Sequence, residues 1–110
     1  MKVSQTGAEL ENYLSFLSKR QTVIASNIAN VDTPGYRTRD IAQPSSFGDA
    51  LQHSIRSVEV ATGRTQNDGN NVDLDREARL LAENTLKFGI GSQLIKSQFK
   101  LLRLAIQEGK

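Results

Sequence analysis

Two long series of apolar residues, each repeating at alternating spacings of three and four, constrain the fold of this chain more than any other feature. Residues at this spacing lie along one face of an α-helix and form a seam against a second helix. The first series predicts a helix over about residues 8–31, with one polar member, Gln21. Its apolar members are Leu10, Leu14, Leu17, Ile24, Ile28 and Val31.

The second series predicts a longer helix over about residues 74–107. Asp73 is a favourable N-cap for it, and Asp75 and Glu77 place negative charge in the first turn, where the helix macrodipole favours it. At about 1.5 Å per residue this helix is roughly 50 Å long, so we expect an elongated molecule. The members of the series are Leu74, Ala78, Leu81, Thr85, Phe88, Ser92, Ile95, Phe99, Leu102 and Ile106.

A Pro-Gly step ends the first helix. The ring of Pro34 pushes Thr33 out of the α region, and Pro34-Gly35 fits the two central positions of a type II turn. Charge placement favours antiparallel packing of the two helices, because parallel packing would set acidic residues side by side. The opposite charges that antiparallel packing brings toward one another are Glu9 and Glu11 with Lys96 and Lys100, and Lys19 and Arg20 with Glu83.

The segment between the helices, about residues 32–72, contains few large apolar side chains. Helical spacing of apolar residues predicts a short helix at about 47–56, and the alternation at 58–60 predicts a brief strand. A connection of this length is unusual in a compact domain and tends to be functional or mobile. We therefore predict that residues 1–110 form one mostly α domain, an elongated, coiled-coil-like antiparallel pair of N- and C-terminal helices with a poorly regular middle segment.

The residue types that carry catalysis and metal binding are scarce. The chain has no cysteine, one histidine and a formal net charge of +2. His53 has no carboxylate neighbour in the sequence, and helix capping accounts for the carboxylates at 73–77, so we predict no enzyme, no metal site and no cofactor. Gly89 and Gly91 are attributed to helix packing or flexibility. The small charge excess argues against nucleic-acid binding, and the absence of a long apolar run argues against a Sec signal or a membrane span.

The predicted helices carry more apolar surface than one partner helix covers. The second helix has another stripe, rotated about 100° from its main series, and the first helix adds Tyr13, Phe16 and Val23. Either the middle segment folds back over these residues, or they are buried against other protein chains; the few large apolar residues in the middle favour the second. The candidate assembly residues are Leu10, Leu14, Leu17, Ile24, Ile28, Pro34, Gly35, Tyr36, Ile90, Leu94, Ile95, Phe99, Leu101, Leu102 and Ile106; Leu104 also belongs to the added stripe.

Residues 26–36, with the sequence SNIANVDTPGY, resemble the signature block of the bacterial flagellar rod and hook protein family. In that family the block lies in the N-terminal segment that packs in the core of the axial filament. The turn at 68–73 and the segments 82–88 and 102–106 resemble the proximal rod members more narrowly. The chain also lacks the large inserted domain and the Gln-Arg-x-Tyr motif expected of distal rod and hook members.

The resemblance implies a structural subunit of the flagellar basal body, without a catalytic site, that polymerises as part of the proximal rod and transmits torque. It also implies export by the flagellar type III apparatus to the periplasmic rod. The implied partners are copies of the chain itself, other rod proteins, the rod–MS-ring junction protein and the export gate. Two alternatives stay open: a soluble helical adaptor or export chaperone that holds one partner through the same stripes, and a small helical protein that binds nucleic acid.

Overall fold

The computed structural model describes residues 3–42 and 57–109. It measures 68 × 22 × 17 Å along its principal axes, so the predicted elongated, mostly α fold is confirmed. Within the described ranges, no helix combines the length and the apolar composition needed to cross a bilayer. The elements in chain order are helix α1 (Val3–Ala29), strand β1 (Arg39–Ile41), strand β2 (Ser57–Glu59) and helix α2 (Leu74–Glu108).

The two helices pack side by side in opposite directions. Near the start of α1, Gly7 lies against Gln98 of α2, and near its end Asn27 donates a hydrogen bond to Glu77. Along the contact, the residue numbers of α2 therefore decrease as the residue numbers of α1 increase. The predicted antiparallel orientation is confirmed.

Helix α1 begins at Val3 rather than near residue 8, and it ends at Ala29 rather than near residue 31. After it, the Tyr36 amide donates to the Thr33 carbonyl at 3.2 Å. Gly35 has a φ of 76°, the left-handed value that a type II turn requires at its third residue. The predicted Pro-Gly turn is therefore confirmed, and it directs the chain away from α1 toward β1.

Helix α2 keeps close to its predicted limits. The Asp73 carboxylate accepts hydrogen bonds from the amides of Asp75 at 3.1 Å and Arg76 at 3.4 Å. These amides have no acceptor within the helix, so the side chain stabilises the first turn. The predicted N-cap is confirmed.

The face that α2 turns toward α1 differs from the prediction. Its buried residues are Glu77, Asn84 and Gly91, each seven positions after the one before. Most large members of the predicted apolar seam are exposed by 40–59% instead; they are Leu74, Phe88, Phe99, Leu102 and Ile106. The seam prediction for α2 is therefore wrong. The physical reason is that Gly91 leaves space for Leu14, while residues of α1 accept hydrogen bonds from the Asn84 nitrogen and donate one to the Glu77 carboxylate.

The predicted charge contacts between the helices are also replaced by others. Arg20 forms its ion pair with Asp40, not with Glu83, and Glu83 pairs with Lys87 one turn along α2. Among the residues that the structure describes, no ion pair joins α1 acids to the lysines of α2. The orientation is right, but the buried contacts described below hold it rather than these exposed charges.

The two strands form a short antiparallel ribbon that lies beside α1. Arg39 pairs with Glu59 and Ile41 with Ser57, so the strand predicted at 58–60 is confirmed one residue earlier, at 57–59. Ile41 packs on the small core, which consists of Phe16 and Leu17 with Tyr13, Leu14 and Val23 partly buried around them. The middle segment therefore covers part of α1. The helix predicted at 47–56 lies outside the described residues.

Replacing Gly91 with leucine should separate the helices. A Cβ atom at this position would lie 2.7 Å from a Leu14 methyl group, and a larger side chain overpacks the seam at a cost of about 1–3 kcal/mol. We expect Gly91→Leu to lower the free energy of unfolding measured by circular dichroism at 222 nm. Gly89→Leu is the matched control, because nothing lies within 4 Å of a Cβ there and leucine favours a helix more than glycine does. Equal stability of the two variants would contradict the packing of α2.

Candidate assembly surface

Asn27, near the end of α1, holds the two helices and β1 together. Its amide nitrogen donates to the Arg39 carbonyl at 2.7 Å and to the Glu77 carboxylate. Its oxygen accepts from the Arg39 amide at 3.1 Å and from the Tyr36 hydroxyl at 2.9 Å. An asparagine side chain has two donor hydrogens and two acceptor lone pairs, so all four are used. Asn27 is 0% exposed, and it fixes where the chain lies after the Pro-Gly turn.

A chain of ion pairs extends from this contact. Arg76 donates to Glu77 at 2.6 Å and to Asp40 at 3.1 Å. Arg20 of α1 donates two bonds to Asp40, at 3.0 and 3.1 Å. We call Arg20, Asn27, Asp40, Arg76 and Glu77 the polar junction; it links α1, β1 and α2 through groups that are mostly buried.

The electrostatics of Asp40 follow from this arrangement. Burial alone would raise its pKa, but the hydrogen bonds and charge of Arg20, the Ile41 amide and the charge of Arg76 lower it more. The net pKa lies below the ordinary value of 3.8. The folded protein therefore favours the carboxylate form of Asp40.

Two consecutive asparagines attach the turn before α2 to the residues that follow α1 and to those that flank the two strands. The Asn70 amide nitrogen donates to the carbonyls of Asn30 and Thr33, at 3.0 and 2.8 Å. Asn71 accepts from the Thr38 amide at 2.6 Å and donates to the Val60 carbonyl at 3.1 Å. Both asparagines are 1% exposed, so this turn is a structural brace.

Sequence reasoning missed most of these residues. It attributed Glu77 to the helix macrodipole, whereas the side chain is 0% exposed and bonded to Asn27. A signal was present in the sequence: Glu77, Asn84, Gly91 and Gln98 repeat every seven residues, and a heptad of polar and small residues marks a helix face as an apolar heptad does. Among the described residues, no group of His, Cys, Asp or Glu is placed to hold a metal ion.

The candidate assembly residues of α1 are largely used inside the chain. Leu17 and Ile24 are each 1% exposed, and the rest of the set on α1, Leu10, Leu14 and Ile28, is half-buried. Their apolar surface is therefore mostly unavailable to other chains. In the Pro-Gly turn, Pro34 and Gly35 are exposed, whereas Tyr36 is half-buried and its hydroxyl is bonded to Asn27.

The exposed apolar residues of α2 form two stripes on different faces of the helix. Successive residues turn by about 100°, so the two stripes flank the face of Glu77, Asn84 and Gly91 that contacts α1. The first stripe is Phe88, Ile95, Phe99, Leu102 and Ile106, and all of it except half-buried Ile95 is exposed. The second stripe is Leu86, Ile90, Leu94, Leu101 and Leu104, and it is exposed by 46–66%.

Comparisons with known proteins identify relatives along the whole chain. A family model described as "Flagella basal body rod protein" matches residues 14–37, the segment that contains Asn27 and the Pro-Gly turn. The flagellar basal body rod protein FlgB of Bacillus subtilis is 34% identical, over 97% of both chains. FlgB of Salmonella typhimurium is 34% identical over 87% of this chain and 88% of its own, and FlgB of Proteus mirabilis is 29% identical over 98% of both.

Removing the Asn27 side chain should destabilise the fold strongly. Asn27→Ala removes one of the two donors to the buried Glu77 carboxylate and both side-chain bonds to the backbone of Arg39, at a cost of about 3 kcal/mol or more. Thermal unfolding followed by circular dichroism measures the loss. Asn30→Ala is the matched control, because Asn30 bonds only within its own turn, to Ser26 and Thr33, through its side chain. A loss no larger than that of the control would show that the polar junction does not hold the helices.

Asp40 should make stability depend on acidity. Its lowered pKa means that its contribution to the free energy of unfolding is complete above 3.8 and is lost as the pH falls through the folded-state value. We expect Asp40→Asn to be less stable at neutral pH and to lose less stability than the parent on acidification. Urea unfolding at a series of pH values tests this.

Glu83→Gln is the control for this pH series. The Glu83 pKa is also lowered, chiefly by its bond to Lys87, but the side chain is exposed and solvent screens exposed pairs. The same acid dependence in the Asp40→Asn variant and the parent would contradict the assignment.

Proposed function

We propose that this chain, which belongs to the FlgB group of flagellar basal body rod proteins, polymerises through its long helices into the proximal rod and there transmits torque. The observation that carries the proposal is the exposure of both stripes of α2. Ten large apolar residues of α2, from Leu74 to Ile106, are exposed by 40–66%. Soluble monomers rarely expose apolar surface in continuous patches, which mark protein interfaces.

The energetics support association through α2. Fully burying one leucine, isoleucine or phenylalanine side chain stabilises a structure by about 1.5–3 kcal/mol. Leu101 and Leu86 are the most exposed of these, each at 66%, so they gain most from a neighbouring chain. Because the exposed positions continue to Ile106, near the end of α2, contacts can form along most of the helix.

The shape of the subunit suits a shaft. The helices run along the 68 Å axis, and the polar junction ties α1 to α2 by directional bonds such as Arg20 to Asp40. A twisting load on one helix would pass to the other through these bonds and through the packing contact of Leu14 with Gly91. We expect the partners to be copies of this chain, other rod proteins, the rod–MS-ring junction protein and the export gate, with delivery by the type III apparatus.

A charge in the second stripe should block assembly without unfolding the subunit. Leu101→Asp changes a residue that is 66% exposed, so the isolated chain loses little stability. In an interface, burying the new carboxylate without a partner costs about 2 kcal/mol or more of association free energy. Cells carrying the variant as their only copy should lose motility. Gln107→Asp adds the same charge at another exposed position of α2 and should leave motility unchanged.

The cell fraction from which the protein is recovered distinguishes a rod subunit from a soluble adaptor. Basal bodies isolated from motile parent cells should contain the chain. Its recovery only in a stoichiometric soluble complex, with none in the basal bodies, would overturn the rod assignment in favour of an adaptor or chaperone.

A further inference from the structure

An open groove runs between α1 and α2 on the side of the first stripe. Its wider part has a volume of about 500 Å³ and is lined by Gly7, Ala8 and Glu11 of α1 and by Phe99 and Leu102 of α2, among others. Small residues on α1 leave this part open. A second cavity of about 230 Å³ lies further along the same side, lined by Ser18, Gln21, Asn84, Thr85 and Phe88.

Two polar groups in this groove lack a partner. Asn84 is 2% exposed and its nitrogen donates to Leu17 and Gln21, each at 2.9 Å. Its oxygen, however, accepts no hydrogen bond. Glu11, at the other part of the groove, forms no ion pair with any residue that the structure describes. An occupant that complements this groove is therefore apolar, supplies a hydrogen-bond donor to the buried Asn84 oxygen and carries a cation beside the exposed Glu11 carboxylate.

We propose that the second stripe of α2 from a second copy of this chain fills the groove. This inference rests on the proposed function, since it assigns a neighbour within the polymer. Residues 90–107 contain three cations, Lys96, Lys100 and Arg103, and no acidic residue. Lys100 borders the second stripe, next to Leu101 and Leu104, so it meets Glu11 when this stripe enters the groove.

The charges fix the direction of the second copy. Glu11 lies level with about Leu94 of its own α2, because Gly7 lies against Gln98 and Leu14 against Gly91. Pairing Lys100 with Glu11 therefore shifts the second copy by six residues, about 9 Å along the helix. If the copies run in the same direction, Ile90 reaches the level of Asn84, and the nearby Gln93 amide supplies the donor that the Asn84 oxygen lacks.

The opposite direction covers less of the groove. A reversed α2 with Lys100 at Glu11 would end at Glu108, about two residues short of the level of Asn84, which would leave Asn84 and Thr85 uncovered. In the parallel arrangement the groove of one copy receives a different surface of the next. Such a contact is heterologous and builds an open array rather than a closed dimer.

Engineered cysteines test the contact in assembled basal bodies, since the chain has none of its own. Two single-cysteine proteins are expressed together in cells that lack another copy, and a short bifunctional maleimide is added to isolated basal bodies. We expect dimers of the chain from the combination Glu11→Cys with Lys100→Cys and from Ser18→Cys with Gln93→Cys. The exchanged combinations should give few dimers, because their cysteines lie about 10 Å out of register. These combinations are Glu11→Cys with Gln93→Cys and Ser18→Cys with Lys100→Cys.

Charge exchange tests the same contact without a cross-linker. Glu11→Lys and Lys100→Glu should each lower the amount of chain in basal bodies about tenfold, because repulsion replaces attraction, and the double variant should restore it. Lys96→Glu in place of Lys100→Glu should not restore it. Circular dichroism of each purified variant verifies that it folds as the parent does.

The outcomes separate this inference from the proposed function. Dimers from the matched combinations together with rescue by the double variant support the groove contact. Basal bodies that contain the chain but give dimers only from the exchanged combinations, or none, overturn the contact and leave the rod assignment standing. Absence of the parent chain from basal bodies overturns both.

Discussion

The buried contact between Asn27 and Glu77 sets the arrangement of the rest of the structure. A carboxylate removed from water is stable only where donors reach it, and Asn27 and Arg76 are the donors that reach Glu77. Sliding α2 by one residue, or turning it about its axis, would take Glu77 away from Asn27 and leave one oxygen of a buried carboxylate without its donor, which costs about 1–3 kcal/mol or more. The register of the helices follows from this contact. So does the position of β1, because Arg76 also binds Asp40.

The same constraint places the apolar side chains on the outside. Helix α2 turns Glu77, Asn84 and Gly91 toward α1, so its leucines and phenylalanines lie to either side. A buried hydrogen bond contributes about 1 kcal/mol on balance, less than the burial of a leucine. One polar face of α2 therefore fixes the register of the two helices. The large apolar side chains, whose burial would stabilise association most, stay on the other faces of α2.

The segment shared with the flagellar rod family fixes how α1, β1 and α2 are placed relative to one another. Residues 14–37 match the family model and include Asn27, with all four of its hydrogen-bonding positions occupied, and Gly35, whose positive φ directs the chain out of α1. A subunit whose shared block positions its helices, and whose free helix faces are apolar, is suited to assembly.

The sequence by itself determined the helices, the Asp73 cap and the Pro34-Gly35 turn, because helical periodicity, capping and ring constraints act between neighbours in the chain. Tertiary structure alone decided which face of α2 meets α1, the pairing of Arg20 with Asp40, and the bracing role of Asn70 and Asn71. The apolar pattern left this open because hydrophobic burial has no direction: it does not distinguish a face covered by the same chain from one covered by another. Hydrogen bonds are directional, and those of Glu77 and Asn84, made to residues 50 and 63–67 positions away, selected the polar face.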